Sequence, residues 1–204
     1  NFKENYNVPN KQYVDQLCNI KKASQALSLN DDRASLFTPV LLSENHLITN
    51  CKKTVDIDKI VNEVWFFGAH SDVGGGYSDT EIDGISLNWM INEIYPFGLI
   101  PKTTEVYEDP RDKTHDPFTG FLGLFYKRKF RSLSQYSENS PYNNGKLKIH
   151  KTAIERINDS LFIPLGDNER NLIDNFSNCF IETEDKGFLF EENKNCKLEI
   201  FSKK

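Results

Sequence analysis

Nowhere in the 204 residues is there an uninterrupted apolar run near the roughly 18 residues that a membrane-spanning helix needs. A charged n-region followed by an apolar stretch is also missing, so no signal peptide is expected. Residue 1 is Asn and the one methionine is Met90, which leads us to expect a chain that starts mid-protein: a processed product, a cut domain or one piece of a longer polypeptide. Positive charge is in deficit, with 25 Lys and Arg against 30 Asp and Glu and a net charge of −5, which argues against a nucleic-acid binder. The four cysteines, Cys18, Cys51, Cys179 and Cys196, form no Cys-x-x-Cys pair, so zinc ribbons and thioredoxin chemistry are unsupported. They are too sparse for a disulfide scaffold, and most are expected as free thiols; Cys179 and Cys196 can bridge if paired strands bring them together. Walker-type Lys-Ser/Thr and Gly-x-Gly-x-x-Gly spacings are absent, which weakens any phosphate-cradle reading of Gly74–Gly76.

What is present is a core-forming composition. Hydrophobic residues make up 38%, with 15 Phe, 8 Tyr and 2 Trp, enough for a globular domain. Tyr13, Val14, Leu17, Ile20 and Leu27 predict a helix over 10–29, stopped by Asn30-Asp31-Asp32. Residues 36–42 read as a strand. The segment Val64-Trp65-Phe66-Phe67-Gly68-Ala69 is apolar without alternation, the pattern of a strand buried on both faces in a parallel sheet. Leu87, Met90, Ile91 and Ile94 predict an amphipathic helix ending before Pro96. Thr152 and Glu155 have capping-box spacing for a helix just after His150. Beyond 176 the runs at 179–181, 187–190 and 198–201 read as short strands or a meander. The expected architecture is α/β with a mostly parallel sheet over 1–165, followed by a small β-rich extension over 166–204.

The strongest chemical signal is Asp72, read as leaving the buried strand with Gly74-Gly75-Gly76 behind it. Ligands in open α/β sheets bind beyond the carboxyl ends of the strands, and the glycines let backbone approach closely. His150 is the second candidate, in a loop before a capped helix. Asp72 followed by His150 reproduces the last two members of the order Ser…Asp…His used by α/β-hydrolases. The first member, a Ser in Gly-x-Ser-x-Gly, is absent: Ser78 and Ser86 follow Gly-x but lack the second glycine. By that order the elbow lies upstream of residue 1. A rival reading makes His70 and Asp72 metal ligands, completed by His115 or His150. Phe118–Arg131 joins an apolar stretch to four basic residues; it is expected to be a core segment with a solvated basic end, the other reading being a lid or interfacial anchor.

The stretch Val64–Tyr77 followed by Ile85-Ser86-Leu87-Asn88-Trp89-Met90 resembles the signature of the α/β-hydrolase domain of type VI secretion lipase effectors and their uncharacterised relatives, roughly W-F-x-G-x-H-S-D-V-G-G-G-Y and then a Leu-x-Trp-Met helix. Ala26–Arg33 with Phe37-Thr38-Pro39-Val40, and Ile149-His150 with Ile154-Glu155-Arg156, are similar to the flanking segments, so the resemblance spans roughly 20–160. It implies the C-terminal portion of an α/β-hydrolase fold and a serine esterase acting on phospholipids, without cofactor or metal. Carried over, Asp72 is the acid and His150 the base, with His115 in reserve; His70 and Ser71 carry no assigned step. The nucleophile and its oxyanion hole are missing, so the chain alone is expected to be inactive. The implied partners are phospholipid, a membrane surface, the upstream part bearing the Ser, and an immunity or delivery protein. The implied destination is a target cell's periplasm or membrane surface. The competing class is a catalytically incomplete hydrolase fragment that binds a partner.

Overall fold

The aromatic run at 64–67 becomes the centre of a parallel sheet. The computed structural model describes residues 19–33, 39, 41, 56–78, 81–101, 103–119, 123, 125–138, 145–159 and 165–202. Strand β1 (Ala23–Ser28) pairs in parallel with β2 (Val61–Phe66), in register from Ala23 with Val61 to Ser28 with Phe66. On the other side of β2 lies β3 (Leu147–His150), with Trp65 opposite Ile149. Strand β6 (Leu198–Phe201) then pairs in parallel with β3 along all four residues. The order is β1-β2-β3-β6, and a separate antiparallel pair joins β4 (Phe180–Glu182) to β5 (Phe188–Phe190). The α/β expectation with a mostly parallel sheet holds.

All six residues of β2 are buried, as expected for a strand covered on both faces. Successive side chains point to opposite faces, so four consecutive apolar residues serve two cores. Trp65 and Phe67 join one cluster with Leu27, Ile149, Ile157, Leu172 and Leu198. Val64 and Phe66 join the other with Val73, Ile82, Ile85 and Trp89. The first face is covered by α5 (Lys151–Asn158) and α6 (Asp167–Asn175), the second by α3 (Asp83–Ile94). Short helices α1 (Ile57–Ile60) and α4 (Leu133–Glu138) complete the helical layer, and among the described residues no helix is long and apolar enough to cross a membrane.

Several local expectations are corrected. Residues 23–28 of the predicted 10–29 helix are β1: six residues of parallel pairing with β2 override a loose helical spacing, and Leu27 is buried as a strand residue. Residues 10–18 lie outside the described residues, as does the strand expected at 36–42 apart from Pro39 and Leu41, neither of which is in a strand. Helix α3 forms and ends before Pro96, with Ile91 buried and Met90 packed against the second cluster as expected. Leu87 is 49% exposed instead, and Ile85 and Trp89 extend the buried face toward Phe66 and Val73. Helix α5 starts at Lys151 with His150 in the N-cap position, so Thr152 lies inside the first turn rather than capping it. The three late strands exist, yet only β4 and β5 form a hairpin apart; β6 is a strand of the main sheet, which therefore crosses the 165/166 boundary.

The thiol expectation is also corrected. Cys179 and Cys196 form a disulfide, both sulfurs within the larger core cluster. They are not on paired strands: Cys179 sits in a 3-10 turn (Ser177–Cys179) before β4, and Cys196 precedes β6. Cys18 and Cys51 lie outside the described residues. The bridge ties the hairpin to the edge of the sheet across a sequence separation of 17. Closing a loop of this size constrains the unfolded chain by about 3 kcal/mol. The double variant C179A/C196A is expected to lose about 2–3 kcal/mol of unfolding free energy in urea, and added reductant should lower the wild type but not the variant.

Candidate active site

The site is built where β1 and β2 end. Strand β2 stops at Phe66, and the chain turns through Gly68 into a single helical turn, α2 (His70–Gly74). Asp72 therefore does not leave the strand directly, as expected from the sequence; it sits in α2 with its carboxylate folded back. Asp72 Oδ2 accepts the Ala69 N–H at 2.8 Å, an N-terminal capping bond. Gly68 makes this possible. Its φ is +112°, and a Cβ there would stand 2.5 Å from Asp72 Cβ. The end of β1 clamps the same turn: Gly68 donates its N–H to Asn30 Oδ1 at 2.7 Å, and its carbonyl accepts the Ser28 hydroxyl at 2.7 Å.

The Asp72 side chain is fully buried, and its partner is His115. Nδ1 of His115 lies 2.7 Å from Asp72 Oδ1, and the His115 backbone N–H donates to Oδ2 at 3.1 Å. An ionised carboxylate only accepts, so this contact puts the ring proton on Nδ1 and the basic lone pair on Nε2. Tyr77 stacks on the imidazole with centroids 3.6 Å apart and planes 16° from parallel. Burial holds the Tyr77 phenol above its ordinary range, and the Asp72 charge adds to it. The loop that brings His115 here is irregular but anchored. Glu81 donates its N–H to Asp112 Oδ2 at 2.7 Å, and Arg156 Nη1 donates to the carbonyls of Pro110 and Asp112 at 2.6 and 2.8 Å.

His150 is not brought to Asp72. Its ring shares a 2.9 Å hydrogen bond from Nδ1 with the Thr152 hydroxyl and stacks on Phe66 at 4.9 Å. Phe201 lies on β6 with its ring 6.3 Å away. Burial, helped by the Lys151 charge, lowers its pKa to about 4. Thr152, the partner of His150, lines a narrow gap with Asp72, Phe66, Phe67 and Ser86. In the structure the hydrogen-bond partner of Asp72 is His115, the reserve, and that of the His150 ring is Thr152. The physical reason is strand geometry: His150 closes β3 on the face that Phe66 and Phe201 make apolar.

A second group of charges flanks the pair. Asp31 is buried against Arg33, with Nε–Oδ1 at 2.9 Å and Nη2–Oδ2 at 2.5 Å, and accepts the His70 N–H at 3.1 Å. Burial pushes the Asp31 carboxyl up, but Arg33 and the backbone donors outweigh it and hold it below the usual range. Burial also lowers the affinity of His70 for a proton, against the pull of Asp31. Arg128 bridges Asp32 at 3.0 Å and Asp116 at 2.7 and 2.8 Å, and the guanidinium of Arg131 donates to the Ser28 carbonyl. Burial raises Asp32 despite Arg128. The metal reading of His70 and Asp72 is not supported: Asp72 is committed to Ala69 and His115, and no group of three His, Cys, Asp or Glu suited to a metal occurs among the described residues. Sequence reasoning missed Tyr77, Asp116 and Arg128. In the sequence Asp31-Asp32 marks a helix stop within the Ala26–Arg33 flank, and nothing there marks Asp116 as more than the start of a turn.

Two predictions follow from this geometry. Gly68→Ala is expected to cost about 1–3 kcal/mol through its strained φ and its clash with Asp72. The accompanying displacement of Asp72 should appear as altered His115 ring resonances in NMR. His150 produces a pH dependence of the opposite origin to an ion pair. It stays neutral in the folded state down to about 4, whereas the unfolded chain protonates near 6.5. The unfolded state binds the extra proton in that window, so stability is complete above 6.5 and falls as pH drops toward 4. The loss reaches about 3 kcal/mol. His150→Phe, which keeps the stack, should remove that component in urea unfolding at pH 7 and pH 4.5.

No curated protein and no solved structure matches the chain significantly. Residues 3–93 match the family model described as T6SS, Phospholipase effector Tle1-like, catalytic domain. The matched stretch contains β1, β2, the Gly68 turn, Asp72, Tyr77 and nearly all of α3, and ends before His115. Over that stretch the chain is similar to the catalytic domain of type VI secretion phospholipase effectors.

Proposed function

We propose that the chain carries the acid and base of a serine esterase that cleaves phospholipid ester bonds, with Asp72 as the acid and His115 as the base. The observation that carries this reading is the 2.7 Å contact between His115 Nδ1 and the fully buried carboxylate of Asp72. Such a carboxylate fixes the tautomer that leaves Nε2 basic and stabilises the imidazolium formed in the reaction. In the proposed sequence, Nε2 takes the proton of a serine hydroxyl as its oxygen attacks the ester carbonyl. The imidazolium then gives that proton to the departing lysophospholipid or glycerol oxygen. Water, deprotonated by the same imidazole, releases the fatty acid. The stack of Tyr77 on His115 restrains the ring for both transfers.

The 204 residues contain no Gly-x-Ser-x-Gly, so in this reading the nucleophile and oxyanion donors come from another segment. Delivery to a target cell, with an immunity or delivery protein as partner, belongs to the same proposal. The Cys179–Cys196 bridge supports a working place in an oxidising compartment such as the periplasm.

The test uses the 204-residue chain alone and joined to a segment bearing the elbow serine, on phosphatidylglycerol vesicles. The chain alone should release no fatty acid. The joined protein should, and D72N and H115A should each lower kcat by about 10³–10⁴. H150F should stay within tenfold. Turnover by the chain alone, or a dead H150F beside an active H115A, would sink the assignment.

A further inference from the structure

We propose that the strip from Phe125 to Phe130 is a docking surface for a bilayer containing anionic phospholipid. Of the segment 118–131, residues 120–122 and 124 lie outside the described residues, the basic run 127–129 is exposed as expected, and Phe125 is 68% and Phe130 39% exposed. Between them Lys127, Arg128 and Lys129 are also exposed. An exposed aromatic on each side of a basic run is the composition of an interfacial anchor, with rings at the acyl boundary and cations among the headgroups. The charge is complementary to an anionic surface even though the chain as a whole carries −5. Asp32 and Asp116 both pair with Arg128, so the three cations of the strip face two carboxylates and a net charge of +1 remains.

The strip is also continuous with the candidate active site. Arg128 grips Asp116, the residue after His115, and its ring-facing guanidinium lies 4.4 Å over Phe118. Lys129 donates its N–H to the Asp32 carbonyl at 2.7 Å, which fixes the strip to the end of β1. A membrane on this surface would lie at the C-terminal edge of the sheet, where Asp72 and His115 meet. A second exposed apolar group, Phe97 and Leu99, follows α3, whose Glu93 is bonded to Ser24 at the start of β1. It therefore lies toward the opposite edge and serves as a control.

The choice of lipid rests on the phospholipase reading, but binding is read without turnover. The 204-residue chain is sedimented with vesicles of non-hydrolysable ether phosphatidylcholine, alone or with one quarter ether phosphatidylglycerol. Binding to the anionic vesicles only, weakening as salt rises, is expected. Each lysine near such a surface contributes about fivefold, so K127E/K129E should weaken binding at least tenfold. F125S/F130S should weaken it at high salt, and F97S/L99S should not. Circular dichroism melts confirm that each variant is folded, and the dependence of the wild type on anionic lipid and salt stands without any variant. No binding to anionic vesicles, or equal binding by K127E/K129E, would overturn the proposal. So would duplex DNA competing as well as anionic vesicles with F125S/F130S unchanged, which marks a general polyanion surface. A chain that binds vesicles but never gains activity when joined to the serine segment supports the docking surface and counts against the esterase.

Discussion

A single buried carboxylate organises the end of this sheet. Asp72 is removed from water, and a buried charge is tolerated only where donors replace the lost hydration. Three donors do so, from Ala69, the His115 backbone and the His115 ring. Each comes from a different structural commitment. Ala69 lies in the turn that Gly68 permits, and His115 lies at the end of a loop pinned by Glu81 and Arg156. Losing any of these would leave charge uncompensated in the interior, so the turn, the one-turn helix α2 and the loop are held as one unit. The irregular stretch from 103 to 119 needs no secondary structure of its own, because the carboxylate supplies its anchor.

The two imidazoles near this carboxylate illustrate how environment assigns chemistry. His150 and His115 are the same side chain, each with a hydrogen bond at Nδ1. His150 is 7% exposed among Phe66 and Phe201 and behaves as an aromatic core residue that resists protonation. His115 is partly exposed, and its Nδ1 is bonded to the Asp72 carboxylate. The order of residues along the chain could not separate the two, since both follow Asp72.

What the sequence made legible is what depends on local pattern. The run Val64–Phe67 declares a strand buried on both faces, and the glycines after Asp72 declare a turn near a sheet edge. The position of α3 before Pro96 is equally local. Its buried face was read in part: Ile91 and Met90 pack inward, but the spacing did not show that Ile85 and Trp89, rather than Leu87, meet Phe66. Strand β1 was hidden for a related reason: Ala23–Ser28 contains only three apolar-compatible positions, and its state is set by pairing with residues 38 positions later. The Asp72–His115 contact spans 43 residues, across α3 and then an irregular loop, so no local pattern announced it. The disulfide is of the same kind, because neither Cys179 nor Cys196 lies on strands that pair with each other.

The charged residues at the end of β1 are the part of the design that joins these observations. Ser28 and Asn30 grip the Gly68 turn, while Asp31 and Asp32 grip Arg33 and Arg128. One short segment thus fixes the carboxylate from behind and the basic strip from the front. Burial raises the hold of Asp32 on a proton, and the Arg128 charge opposes that rise. Arg128 also holds Asp116, so its guanidinium links the residue beside the imidazole to the strip that faces outward. A change in the strip's surroundings that drew Arg128 away would leave Asp32 less able to stay charged and Asp116 without its bidentate partner. The imidazole's neighbour and the strip are thus joined twice, by Arg128 and by the end of β1 through the Lys129–Asp32 backbone bond.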